Sequence, residues 1–170
     1  PAYKEKLRLR SYGVPDMDSK VFLEIKKKYR GLVNKRRTIL ELGEAYDFIE
    51  TGVKPELQDY MNGQVLNELE YCLNLYDLEP KVYIAYDRLA YFEKGNDDLR
   101  ISFDTNIRTR RSDLLLESGD HGKRVLDSDV WLMEIKTSLA KPLWLCEMLS
   151  EFEIRSSSFS KYGTEYKNMM

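Results

Sequence analysis

Residues 3–10 read Tyr-Lys-Glu-Lys-Leu-Arg-Leu-Arg, and residues 20–28 read Lys-Val-Phe-Leu-Glu-Ile-Lys-Lys-Lys. Strand side chains alternate between two faces. In the first stretch Lys4, Lys6, Arg8 and Arg10 therefore share a face opposite Tyr3, Leu7 and Leu9, and in the second Glu24, Lys26 and Lys28 oppose Val21, Leu23 and Ile25. The same period of two recurs down the chain and predicts six strands, at Tyr3–Gly13, Lys20–Arg30, Leu32–Leu40, Lys81–Glu93, Asp98–Arg108 and Arg124–Thr137. Lys35 and Arg37 again fall two apart. Arg88 shares a face with Tyr86, Arg100, Ser102 and Asp104 oppose Leu99, Ile101 and Phe103, and Glu134 with Lys136 opposes Trp131, Met133 and Ile135.

Ordinary half-exposed strands mix neutral polar residues into their outer face, whereas here the middle of each polar face is an arginine or a lysine. Two readings follow. In one, these are solvated outer faces of an antiparallel sheet covered on its other side by helices. In the other, the strands close into a barrel with a charged lumen, which also removes exposed edges. Crowded cations inside such a lumen repel one another unless carboxylates or a polyanion neutralise them. The guest expected there is a multiply charged anion. A string of phosphates suits it, because arginine grips phosphate oxygens in a fork and lysine adds a point charge. Glu24, Asp104 and Glu134 on the same faces are either counter-ions or ligands of a hard divalent cation bridging phosphate to the wall. Glu134, followed by Glu24, is the expected metal ligand.

Between the third and fourth strands the period changes. Leu42, Ala45, Tyr46 and Ile49, then Val65, Leu66, Leu69 and Leu73, recur at helical spacing and predict two amphipathic helices, punctuated by Gly52, Pro55 and Gly63 and ended by Pro80. A third helix is expected after Pro142, and residues 156–160 form a Ser-rich loop leading to a short polar tail. His121 sits in a turn-like Gly-Asp-His-Gly loop and reads as a surface residue. Cys72 and Cys146 read as core, and Arg110 and Arg111 as a basic loop beyond a strand. The fold class expected is α+β, an antiparallel barrel with helices outside it, in a single domain over residues 1–170.

The chain has 170 residues, with 27 Lys+Arg against 29 Asp+Glu and a net charge of -2, so attraction for an anion must come from local clustering. Nucleic acid and membrane surfaces are disfavoured as partners. Two cysteines are too few for a disulfide framework or a zinc cluster, and a reducing cytoplasm is expected. No apolar run approaches the roughly 20 residues of a membrane span.

Six segments resemble, in order, the motifs of the vacuolar transporter chaperone polyphosphate polymerase domain, a member of the triphosphate tunnel metalloenzymes. They are residues 6–13 (Lys-Leu-Arg-Leu-Arg-Ser-Tyr-Gly), 21–28 (Val-Phe-Leu-Glu-Ile-Lys-Lys-Lys), 85–91 (Ala-Tyr-Asp-Arg-Leu-Ala-Tyr), 99–105 (Leu-Arg-Ile-Ser-Phe-Asp-Thr), 132–136 (Leu-Met-Glu-Ile-Lys) and 158–163 (Ser-Phe-Ser-Lys-Tyr-Gly). The resemblance implies an eight-stranded antiparallel barrel with a basic tunnel and a polymerase that moves the terminal phosphate of ATP onto a growing polyphosphate chain, with Mn²⁺ or Mg²⁺ as cofactor. It assigns Arg8, Arg10, Lys26 and Lys161 to the reacting triphosphate. Lys35, Arg37, Arg88 and Arg100 become phosphate contacts and Glu134 the metal ligand, and Lys136 joins the phosphate contacts because it shares Glu134's face. A strand with its own basic residue is expected to precede Tyr3. The same tunnel chemistry also serves hydrolysis of inorganic or nucleoside triphosphates, and some family members bind polyphosphate without making it.

Overall fold

The structure, a computed structural model, describes residues 3–169. The described residues form two antiparallel sheets and four helices, an α+β fold. The chain divides into two compact units, residues 1–81 with 115–120, and residues 82–114 with 121–170.

The first unit is a three-stranded sheet, β1 (Tyr3–Arg10), β2 (Lys20–Tyr29) and β3 (Leu32–Glu41), in that order. Arg30 (φ 45°) and Gly31 (φ 91°) turn β2 into β3, the two positive φ values of the tight hairpin whose twist matches its strands. The apolar face carries Leu23, Ile25, Val21 and Leu40. Two helices, α1 (Leu42–Thr51) and α2 (Gly63–Leu75), complete the core with Ala45, Phe48, Leu66 and Leu69, all at most 1% exposed. At about 1.5–3 kcal/mol for each large side chain fully withdrawn from water, this is the main source of the unit's stability.

Sequence chemistry sets the helix ends. The Glu41 backbone N–H donates to Glu44 Oε2 at 3.0 Å, and Asn62 Oδ1 accepts from the Val65 N–H at 3.1 Å, each satisfying a donor that a helix start leaves open. The Asn62 N–H itself donates to buried Thr38 Oγ1 at 2.9 Å, which ties the start of α2 to β3. Gly52 closes α1 at φ 70°, where a Cβ would also stand 3.0 Å from Asn74 Oδ1. The segment 115–120 belongs to this unit through Tyr46, whose hydroxyl donates to Glu117 Oε2 at 2.7 Å and accepts from the Leu116 N–H at 2.8 Å.

The second unit is built on β4 (Tyr83–Glu93) and the long β5 (Asn96–Arg110), with β6 (Lys123–Arg124) and β7 (Leu132–Lys136) both pairing β5. The β4–β5 register slips between Ala85 and Asp87, opposite Asn106 at φ 50°. A bulge inserts one residue and reverses the alternation beyond it, and asparagine tolerates the left-handed backbone this needs. Helices α3 (Leu143–Glu151) and α4 (Lys161–Met169) follow.

Four expectations need correction. The single strand expected over Arg124–Thr137 is two, because a turn closed by the Val130 N–H on the Asp127 carbonyl at 3.2 Å interrupts it. The polar tail after residue 160 is helix α4. Cys146 is exposed rather than core, since α3 buries only Leu145. Arg110 ends β5 and is buried, its Nε on the Asp113 carbonyl at 2.5 Å, its Nη1 on the His121 carbonyl at 2.9 Å and its guanidinium 3.6 Å from the Tyr83 ring centre. Cys72 is buried and His121 exposed, as read. Neither described sheet closes into a barrel. Among the described residues no helix is long and apolar enough to cross a membrane.

Candidate functional site

On the first sheet the pairing register turns one-dimensional alternation into rows. Lys6, Lys26 and Lys35 stand in register across β1, β2 and β3, and the next row along the same face is Arg8, Glu24 and Arg37. Lys4 beside Lys28 extends the face one way and Arg10 beside Phe22 the other. Side chains directly opposite on neighbouring strands lie about 5 Å apart, where like charges destabilise.

Glu24 is the carboxylate at the centre of this field, 2% exposed. Arg8 donates to its Oε2 through both Nε and Nη2, the former at 3.0 Å, while Lys35 Nζ lies 3.3 Å and Arg10 Nη1 3.9 Å from Oε1. Oε1 accepts no hydrogen bond despite its burial. Burial pushes the Glu24 carboxyl up, but the Arg8 hydrogen bonds and the Arg8 and Lys35 charges outweigh it and hold the group below its ordinary value. Arg10 is steered by Tyr12, donating to its hydroxyl at 2.8 Å, and Arg37 lies 4.8 Å from the Phe22 ring centre. Among the described residues Lys26 and Arg37 have no carboxylate partner.

The second sheet gathers another set on one face. Arg88 on β4 pairs across to Asp104 on β5, Ser102 to Glu134 on β7, and Arg100 to Lys136. Asp104, 1% exposed, receives a bidentate fork from Arg88, Nε to Oδ1 at 2.5 Å and Nη2 to Oδ2 at 2.7 Å, and Lys161 Nζ reaches Oδ2 at 2.5 Å. Burial again pushes the carboxyl up and the Arg88 and Lys161 hydrogen bonds bring it below its ordinary value. The fork in turn raises Arg88. Tyr86 lies under both cations, its ring centre 5.1 Å from Arg88 and 4.4 Å from Lys161.

Glu134 differs from both buried carboxylates in being half-exposed, with Lys136 3.2 Å from Oε1 and Arg88 3.5 Å from Oε2. Its strand is fixed at the far end by Asp98, which accepts from Thr137 Oγ1 at 2.8 Å and the Ser138 N–H at 2.9 Å. Those bonds hold the Asp98 carboxyl down at about 2. Arg100 stacks 5.3 Å from the Phe92 ring centre, and its Nε is buried without a hydrogen-bond partner.

The model of the VTC domain matches residues 1–170, the whole sequence. The chain belongs to the VTC domain family. No curated protein matches it significantly. The family is linked to polyphosphate synthesis. The site residues expected from the sequence fall into two groups in this VTC domain: Arg8, Arg10, Lys26, Lys35 and Arg37 with Glu24 on the first sheet, and Arg88, Arg100, Glu134, Lys136 and Lys161 on or over the second.

Two buried carboxylates of the second unit receive no role from the family resemblance. Asp104 was visible only as one carboxylate among several on alternating faces, although it is what joins Arg88 to Lys161. Glu165 carried no sequence signal at all; it is 8% exposed and accepts a fork from Arg111, Nε to Oε1 at 2.7 Å and Nη2 to Oε2 at 2.8 Å.

Among the described residues no three His, Cys, Asp or Glu side chains cluster as a metal site held by protein alone would need. The donor set suits a different arrangement. Hard divalent cations are commonly held by one or two carboxylates plus phosphate oxygens, and Glu134 is an accessible carboxylate beside cations that attract phosphate.

Proposed function

We propose that this VTC domain is a metal-dependent polyphosphate polymerase that transfers the terminal phosphate of ATP to a growing polyphosphate chain. The observation that carries the reading is the row Lys6–Lys26–Lys35 next to Arg8–Glu24–Arg37, a cation-rich face with a single central carboxylate. On a molecule of net charge -2 such a concentration is costly without an anion to offset it. Polyphosphate carries a negative charge at each unit and binds to arginine forks and lysine point charges alike.

In this reading Arg8, Arg10 and Lys26 grip the triphosphate, helped by Lys35 and Arg37. Arg88, Arg100, Lys136 and Lys161 hold phosphates over the second sheet. Glu134 is the residue that would hold Mn²⁺ or Mg²⁺, with Glu24 the second carboxylate of the proposal; the ion would screen charge on the phosphate oxygens. The reading carries with it the closed antiparallel barrel of the tunnel enzymes, with these faces on its lumen.

The reaction asks for alignment more than for acid–base chemistry. A terminal oxygen of the bound chain attacks the γ-phosphorus, the bond to the β-bridging oxygen breaks, and ADP departs with the electron pair. No side chain needs to become covalently attached. Arg8 and Arg88 are already held by carboxylate partners, so they meet the phosphates with little loss of side-chain freedom.

The test is incubation with ATP and Mn²⁺ followed by separation of long phosphate chains from free phosphate. Long chains are expected. Free phosphate alone would make the protein a triphosphatase, and triphosphate binding without turnover would make it a binding subunit; either result overturns the polymerase.

A further inference from the structure

The Arg111–Glu165 pair lies outside every motif and outside the phosphate contacts. It is nonetheless built with care: the fork is bidentate at 2.7 and 2.8 Å, and Glu165 is 8% exposed. Glu165 stands four residues after Lys161 on α4, so one face of the helix presents both. Lys161 reaches Asp104, six residues before the end of β5, and Glu165 reaches Arg111, the residue after that end. Both ion pairs join α4 to β5 and its continuation.

Helix α4 is short and mostly polar. Its exposed Tyr162 and Tyr166 turn apolar area toward water, and its start is secured locally, the Gly163 N–H donating to Ser160 Oγ at 3.2 Å. A lysine side chain has four rotatable bonds and is costly to immobilise. Lys161 nevertheless sits within 2.5 Å of one carboxylate oxygen and 4.4 Å of the Tyr86 ring centre.

We propose that Arg111 and Glu165 are positioning residues that hold α4 against β5, so that the Lys161 ammonium is placed beside Asp104 and Tyr86 on the phosphate-binding face. They touch no phosphate themselves and act only through Lys161. The inference deepens the reading above and rests on it for its functional arm, but its structural arm does not.

The structural arm measures the rate at which an amine-reactive ester labels Lys161, by mass spectrometry, in the ligand-free protein. Glu165→Gln should raise that rate several-fold while leaving Lys54 unchanged, because Lys161 loses its shelter with the helix. The exchanged pair Arg111→Glu with Glu165→Arg should restore protection, and Arg111→Lys, which keeps charge but loses the fork, should restore only part. Unchanged labelling in Glu165→Gln overturns the proposal.

The functional arm is a double-mutant cycle on inorganic triphosphate affinity. Lys161→Ala should weaken binding about tenfold and Glu165→Gln about three- to tenfold, whereas Glu165→Gln in the Lys161→Ala background should cost nothing more. Additive losses overturn the proposal, since a general loss of stability would act in both backgrounds. If the wild type binds no triphosphate, the function proposed above fails, and the labelling result alone decides the positioning role.

Discussion

Two buried carboxylates organise the two sheets, and they are answered differently. Glu24 is met by Arg8 and Lys35, whose side chains remain 54% and 44% exposed, and more distantly by the shielded Arg10, while Asp104 is met by Arg88 and Lys161, 21% and 20% exposed. The first sheet thus surrounds one acid with a field of cations, of which Lys26 and Arg37 have no carboxylate partner among the described residues. The second sets two acids, Asp104 and Glu134, against Arg88, Lys161 and Lys136, each of which lies within ion-pair distance of one of them. Surplus cations attract and hold an anion; matched, shielded pairs fix side-chain positions. On the proposed function, the surplus cations of the first sheet would attract phosphate and the paired ones of the second would fix its position.

The largest effect should come from breaking the shielded cluster. Asp104→Ala leaves Arg88 and Lys161 partly buried without their carboxylate, a situation that typically costs about 3–5 kcal/mol. Glu24→Ala removes an equally buried acid, but water screens Arg8 and Lys35, and its cost should be about half as large. Urea unfolding of the two variants measures the difference. Equal losses would mean that partner exposure does not distinguish the clusters.

Next in size is binding. Arg8→Ala removes a fork from the surplus-charge face and should weaken triphosphate binding by about 1.5–3 kcal/mol, one to two powers of ten. Arg8→Lys should recover only part, because lysine keeps the charge without the bidentate geometry. Lys54, which serves Asn67 and Glu70 on the helical layer, is the control, and Lys54→Ala should leave affinity unchanged. Calorimetric titration at fixed ionic strength reads all three. A loss for Lys54→Ala as large as that for Arg8→Ala would reduce the face to diffuse surface attraction.

What sequence could and could not show follows the same division. The polar faces of β1 and β2 were legible because Leu7, Leu9, Leu23 and Ile25 alternate with Lys6, Arg8, Glu24 and Lys26, and the helices α1 and α2 because Leu42, Ala45 and Ile49, then Val65, Leu66 and Leu69, recur at helical spacing. Helix α4 was not, because the residues that dock it are Lys161 and Glu165; polar residues bound by ion pairs leave no hydrophobic period to read. Arg110 looked like a loop cation because a charge pattern does not register the Asp113 and His121 carbonyls and the Tyr83 ring that it meets. Within the site, the family motifs marked Arg88 and Lys161 separately. That they share Asp104 is a matter of strand register and helix docking, which only coordinates supply.

The smallest expected effect is in acid, and it separates the clusters by titration. Both carboxyls lie below their ordinary values of 4.5 for Glu24 and 3.8 for Asp104 when the protein is folded. A depressed folded-state value means that the unfolded chain takes up protons first as pH falls. The stability each pair contributes is therefore complete above the unfolded value, declines below it, and is gone once pH passes the folded value. Glu24 should begin to lose its contribution about 0.7 of a pH unit above Asp104, since its unfolded value is the higher one. Each group changes the slope of stability against pH by at most about 1.4 kcal/mol per unit. Glu24→Gln should flatten the upper part of the acid limb and Asp104→Asn the lower part, in urea unfolding repeated at intervals from neutral pH downward. If neither substitution flattened the limb, the cations would not be holding these carboxyls ionised, and the electrostatic contrast between the sheets would fall with that result.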